Sequence, residues 1–140
     1  MNIKKLLLPG IAGGVVFFLL GWLIYGVVLM DFMKAHTGLV SGVDRPPTQI
    51  LFPYLFLGNL FSGFMFAYIF LRTSVSKWMD GLIMGAILGF LISASYDCIT
   101  YATTFLTSRS AMAADVVGFT IMSAIGGAVV AWLLGRGNKS

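Results

Sequence analysis

The chain has no glutamate, one histidine and one cysteine, and its acidic residues number five in 140 positions. Each scarcity closes off a class of function. The lone Cys98 excludes an intrachain disulfide. His36 stands alone as well, which excludes a multi-histidine metal site or a bis-histidine haem within one chain. There is no HExxH, no phosphate-cradling glycine loop and no Ser–His–Asp arrangement with a nucleophile elbow, so no enzyme chemistry is legible and no catalytic residue is assigned. Charged residues make up 10% of the chain, against roughly 25% in a soluble domain that must keep its surface wet.

What is there instead is hydrocarbon. Hydrophobic residues reach 59% and the mean hydropathy is +0.95. No charge interrupts Leu6 to Met30, Pro46 to Leu71 or Val116 to Gly135. Each run exceeds the roughly 20 residues a helix needs to cross a ~30 Å apolar layer. A further run, Gly81 to Tyr96, reaches spanning length when Trp78 and Asp97 sit at its two interfaces. The expected fold is therefore all-α, an integral membrane antiparallel four-helix bundle formed by one domain, 1–140, with spans at about 6–33, 49–71, 78–104 and 111–135. The first run is longer than the about 7–15-residue core of a signal peptide and has no small-x-small site close behind it, so it reads as an uncleaved anchor.

The net charge of +4 is carried by Lys and Arg at helix ends, which is a topology signal rather than a nucleic-acid surface. Lys4, Lys5, Arg72, Lys77, Arg136 and Lys139 fall on one side, against Lys34, Arg45 and Arg109 on the other. The positive-inside rule then predicts both termini in the cytoplasm.

Glycines recur along the spans: Gly10, Gly14 and Gly21 with Tyr25 on the first, Gly81, Gly85 and Gly89 on the third, Gly118 and Gly126 on the fourth. Such ladders are helix-packing faces far more often than cofactor seats. Asn59, near the middle of the phenylalanine-rich second span, is expected to hydrogen-bond to another helix. Pro53 is a candidate kink. The short link from Arg72 to Lys77 is expected to set the third span antiparallel beside the second.

The most informative stretch follows the third glycine ladder. At 100° per residue, Ser93, Asp97, Thr100, Tyr101, Thr104 and Ser108 lie within about 60° of Asp97 on one helical face. A carboxylate beside a lipid-spanning run is costly unless it faces protein or water. The threonines weaken helix propensity, so a break or a short interfacial helix is expected within residues 98–108. Asp115 is expected in the first turn of the last span, where the helix dipole favours an anion.

Tyr96-Asp97, then Thr100-Tyr101-Ala102-Thr103, then Asp115 before a glycine-rich span, resembles a family of small four-span bacterial membrane proteins of unknown function. In that family a Tyr-Asp-Leu-Thr-Asn-Leu-Ala-Thr motif ends the third span, and a Val-Asp pair before Trp-Gly opens the fourth. Asp97, Ala102, Thr103 and Asp115 match, as does Asp31-Phe-Met-Lys34-Ala-His36 in the first loop; Cys98-Ile-Thr-Tyr101 and Gly118-Phe119 depart. The resemblance implies a bacterial inner-membrane location and four-span topology, and no activity.

With that topology Asp31, Asp97 and Asp115 gather near the outer face, where Tyr25, Tyr101, His36, Thr100 and Thr104 can join them. Oxygen ligands of this kind suit a cation, a proton or a small polar ligand. The structural alternatives are Asp115 as a helix cap, Asp97 paired with Arg109 or hydroxyls, and Asp31 and His36 merely solvated. Two functions follow: a small binding or transport-type protein, or a non-catalytic accessory subunit of a larger membrane complex. The expected partners are the lipid bilayer and either a second copy or other membrane chains, with no nucleic acid.

Overall fold

The computed structural model describes residues 3–38 and 40–137. Lys139, used above for orientation, lies outside them, as does the side chain of Lys4. The helices are α1 (Ile3–Leu23), the short α2 (Met30–His36), α3 (Phe52–Thr73), α4 (Trp78–Thr103) and α5 (Arg109–Gly137). A π turn, Ile24–Val28, joins α1 to α2, and a 3₁₀ turn, Pro47–Gln49, precedes α3. Four segments are long and apolar enough to cross a membrane: Lys5–Val28, Phe52–Thr73, Trp78–Thr103 and Arg109–Gly137. The protein is an all-α membrane bundle.

Small residues decide which helices touch. Without a hydrophobic drive between helices in lipid, association depends on close backbone approach. Gly10 lies against Phe64, Gly14 against Leu60, and Gly63 against the backbone of Gly10, Gly13 and Gly14, which locks α1 antiparallel to α3. The Phe17, Phe66 and Phe70 rings fill that seam edge to face, with centroids 5.0 Å apart for Phe17–Phe66 and 5.8 Å for Phe66–Phe70. Phe17 also presses on Gly126, and Val130 on Gly13, so α5 closes over the same core.

α4 is held differently. It packs along α5 and has no extended contact with α3, although only Ser74 to Lys77 separate the two. The expectation of side-by-side second and third spans is corrected here. A link that short fixes antiparallel direction but not adjacency, and the glycine face of α4 fits α5 better. Gly81 meets Gly127 and Ala131, Gly85 meets Ser123 and Gly127, and Gly89 meets Ser123 and Phe119.

Several local expectations change. Pro53 sits in the first turn of α3, where its missing N–H costs nothing, so it starts the helix rather than bending it. Asn59 donates to the Leu55 carbonyl of its own helix at 2.8 Å, while its amide oxygen faces Gly21 of α1. The expected break falls at residues 104–108, between α4 and α5. α4 runs on to Thr103, because Thr103 and Thr104 return their hydroxyls to the carbonyls of Ile99 (2.8 Å) and Thr100 (2.7 Å) and so satisfy the last turn. Ser108 caps the start of α5, its Oγ accepting from the Ala111 N–H at 3.2 Å.

A candidate carboxylate site between α4 and α5

Five residues of α4 are buried, and they form a single file at four-residue spacing: Gly81, Gly85, Gly89, Ser93 and Asp97. Side-chain size grows along the file, from hydrogen to hydroxymethyl to carboxylate. The seam with α5 is close-packed at Gly81, Gly85 and Gly89 alike, and the file ends at Asp97, which is 7% exposed. From Trp78 to Asp97 is about 28 Å at 1.5 Å per residue, so the carboxylate lies at the far edge of the apolar layer.

The facing file on α5 has the same period. Contacts step from Ala131 and Gly127 to Ser123 and Phe119. Two further steps, through Ser93, bring Asp97 opposite Asp115 and Ala111. The two carboxyl groups lie within hydrogen-bonding reach of each other. Asp115 belongs to the second turn of α5, since the helix starts at Arg109; it is not the first-turn anion expected from the sequence. Its side chain serves the seam and not the helix end.

Tyr25 completes the group from α1. Its hydroxyl donates to the backbone carbonyl of Asp115 at 3.3 Å and also interacts with the Asp115 carboxyl, with the Asp97 charge close enough to act on it. The π turn is what brings it there. Leu29 N–H reaches back to Ile24 O at 2.7 Å, one residue further than an α-helical bond, and the extra residue turns this face of the helix toward α5. α3 does not reach the site. With Gly14 opposite Leu60 and Phe18 opposite Phe56, its first residue Phe52 stands level with about Trp22, roughly 4.5 Å short of Tyr25.

Polar bonding around Asp97 is incomplete. Its Oδ2 finds no hydrogen-bond partner among the described residues. Ser93 donates to the Gly89 carbonyl at 2.8 Å, and Arg109 donates to the Tyr101 hydroxyl at 2.9 Å rather than to Asp97. Deeper in the seam the fully buried Ser123 Oγ, pressed on Gly89, is likewise unpartnered.

The remaining sequence candidates are placed elsewhere. Asp31 is exposed in the first turn of α2. His36 stacks on Phe32 with centroids 4.1 Å apart, its Nδ1 2.9 Å from the Phe32 carbonyl. Tyr101 is an exposed partner of Arg109. Thr104 closes the end of α4 on the Thr100 backbone carbonyl, and Thr100 lies half-buried one turn beyond Asp97. Of the seven residues, Asp97, Asp115 and Tyr25 are the ones with mutual interactions. Ser123 was missed, although Asp115, Phe119, Ser123, Gly127 and Ala131 repeat at the same interval as the α4 file, a signal readable in the sequence.

Two loops are tied together at this end of the bundle. Gly38 N–H donates to the Leu106 carbonyl at 3.1 Å, beside a Thr37–Thr107 bridge. A Cβ at Gly38 would collide with the Phe105 carbonyl, so only glycine fits. Between Ile24, Val28 and Phe32 on one side and Ala114, Val117 and Ile121 on the other runs an open apolar groove of about 460 Å³.

The fold and the site together define a helical membrane bundle with a carboxylate pair in one helix–helix seam. Comparison of the chain with family models, with curated proteins and with solved structures gives no match. The family resemblance thus rests on the residues quoted for it.

Proposed function

We propose that this is a small multi-pass membrane protein that binds or passes a proton, a cation or a small polar ligand at Asp97 and Asp115, with Tyr25 beside them. The observation that carries the reading is the Asp97 carboxylate, more than nine-tenths buried in a helix seam, facing a second carboxylate with one oxygen unpartnered. Acidic groups inside membrane proteins are costly and mark ion or proton pathways by default. A purely structural role would be served better by an apolar or small residue continuing the glycine file. We place the protein in a bacterial inner membrane with both termini cytoplasmic, on the family resemblance and the Lys and Arg distribution; the site then lies toward the outer face. Reporter fusions at the C-terminus test the orientation.

The function is tested in proteoliposomes by proton and sodium flux, and by equilibrium binding to the purified chain, with Asp97→Asn as the variant. The reading expects the response to disappear while folding and insertion persist. Equal responses from variant and parent contradict it.

A second reading, a non-catalytic accessory subunit of a larger membrane complex, draws on α4. Among the described residues that helix has α5 as its one extended partner, and it turns Ile83, Ile87, Phe90, Leu91 and Ile99 outward. Mild-detergent extraction that brings down stoichiometric membrane partners favours it, and a lone chain in every detergent removes it.

A further inference from the structure

Resting on the carboxylate-site reading, we infer that the occupant is a single proton shared by the carboxyls of Asp97 and Asp115, and that it clamps the Thr103 end of α4 onto α5.

What Asp97 lacks is a donor. The nearby hydroxyls with a bond direct it elsewhere: Ser93 to the Gly89 carbonyl, Thr104 to the Thr100 carbonyl, and Tyr25 to Asp115 rather than Asp97. Arg109 has turned to Tyr101. The remaining group in reach is the Asp115 carboxyl, and a hydrogen bond between the two forms only when one of them carries a proton and donates it to the other. A proton between the two gives Oδ2 its bond and removes the repulsion of two charges in a low-dielectric seam.

Space and ligand count argue against a metal ion. Calcium takes six to eight oxygens and magnesium a near-octahedral shell. Among the described residues no group of three His, Cys, Asp or Glu side chains could hold a metal. The seam is closed as well: Oδ2 has less than 1 Å² of accessible surface, and about three turns along α4 the backbones of Gly85 and Ser123 meet. A proton needs no cavity.

The mechanical consequence follows from the packing. α4 has one extended partner, α5, and the site lies at the end of their seam, beyond the start of α3. Removing the proton places two negative charges face to face at the end where the helices are held by the least glycine contact. The Thr103 end of α4 then moves off α5. The charged and titratable groups around the site are few: Asp115 and Arg109 on α5, Tyr25 on the π turn, and Tyr96, Cys98 and Tyr101, all exposed, on α4 itself. α2 adds exposed Asp31 and Lys34, and His36 stacked on Phe32.

Cys98, the single cysteine and exposed, adjoins Asp97 and serves as a native reporter. Spin labels on Cys98 and on an introduced Val117→Cys, in the full chain in lipid nanodiscs, report the distance between α4 and α5 by pulsed electron resonance. The expected result is a distance that lengthens as one proton is lost, is indifferent to sodium and calcium at fixed pH, and stays short at all pH in Asp97→Asn or Asp115→Asn, whose amides supply the missing donor. His36→Gln should titrate as the parent does. A distance that follows sodium or calcium at fixed pH overturns the shared proton and leaves the carboxylate site standing. Indifference to both pH and cations overturns the two together. A parent-like titration in both asparagine variants, or its loss in His36→Gln, also overturns the inference.

Discussion

The two helix seams of this protein start from the same device and end differently. α1 and α3 meet through Gly10, Gly13, Gly14 and Gly63, and the gaps are filled by Phe17, Phe66 and Phe70. α4 and α5 meet through Gly81, Gly85, Gly89 and Gly127, but no aromatic ring lies in the α4 file, which continues into Ser93 and Asp97. Glycine brings backbones together in both. In the first seam the close approach buries rings and yields a dry core. In the second it shields a carboxylate from lipid. The difference teaches that a small-residue stripe is not itself functional; what stands at its end decides.

That comparison can be broken or sharpened by substitution, read as stability in a bilayer-like medium. The largest effect is expected at Gly85→Leu. The added side chain meets the carbonyl of Ser123, which cannot move without bending α5, so α4 loses its one extended partner. A loss of more than about 3 kcal/mol, beyond ordinary overpacking, should appear in detergent-titrated unfolding. A Gly85→Leu protein as stable as the parent would show that α4 does not depend on the stripe.

Phe66→Ala attacks the other seam. In water-soluble cores such a truncation costs about 3–5 kcal/mol, part of it transfer to water. Lipid replaces water here, so roughly 2–3 kcal/mol is expected from lost ring contacts. Gly58→Ala has the opposite sign. Nothing lies within 4 Å of a Cβ there, so the helix gains up to about 1 kcal/mol from reduced backbone freedom. Destabilisation at Gly58 would mean that α3 has a partner on that face. Tyr101→Phe removes an exposed bond to Arg109 and should cost less than about 0.5 kcal/mol, leaving Asp97-dependent behaviour intact.

How much of this was readable in the residues depends on distance along the chain. The spans follow from uncharged runs, because the cost of exposing backbone to hydrocarbon leaves little choice but a helix. Asp97 was visible too, since Gly81, Gly85, Gly89, Ser93 and Asp97 share a period of four within one helix. Adjacency was not. The short link after α3 invites a pairing with α4 that the packing of α4 on α5 overrides. Tyr25 was reached by extending a glycine ridge, yet its contact with Asp115 depends on the π turn, which no periodicity announces. Asp31 was grouped with Asp97 by its level along the membrane axis; level says nothing of direction around a helix, and Asp31 is exposed. Asn59 found its partner one turn back in its own helix, a competition that side-chain spacing cannot resolve.

The central claim is that Asp97 and Asp115 face each other inside the α4–α5 seam. Oxidative cross-linking in membranes tests it most directly, with Asp97→Cys and Asp115→Cys combined in a Cys98→Ser background and Tyr96→Cys replacing Asp97→Cys as the control. Fast, near-complete bridging of the 97–115 pair, with little from the outward-facing position 96, is the predicted result. Absent bridging, or equal bridging from position 96, would contradict the account.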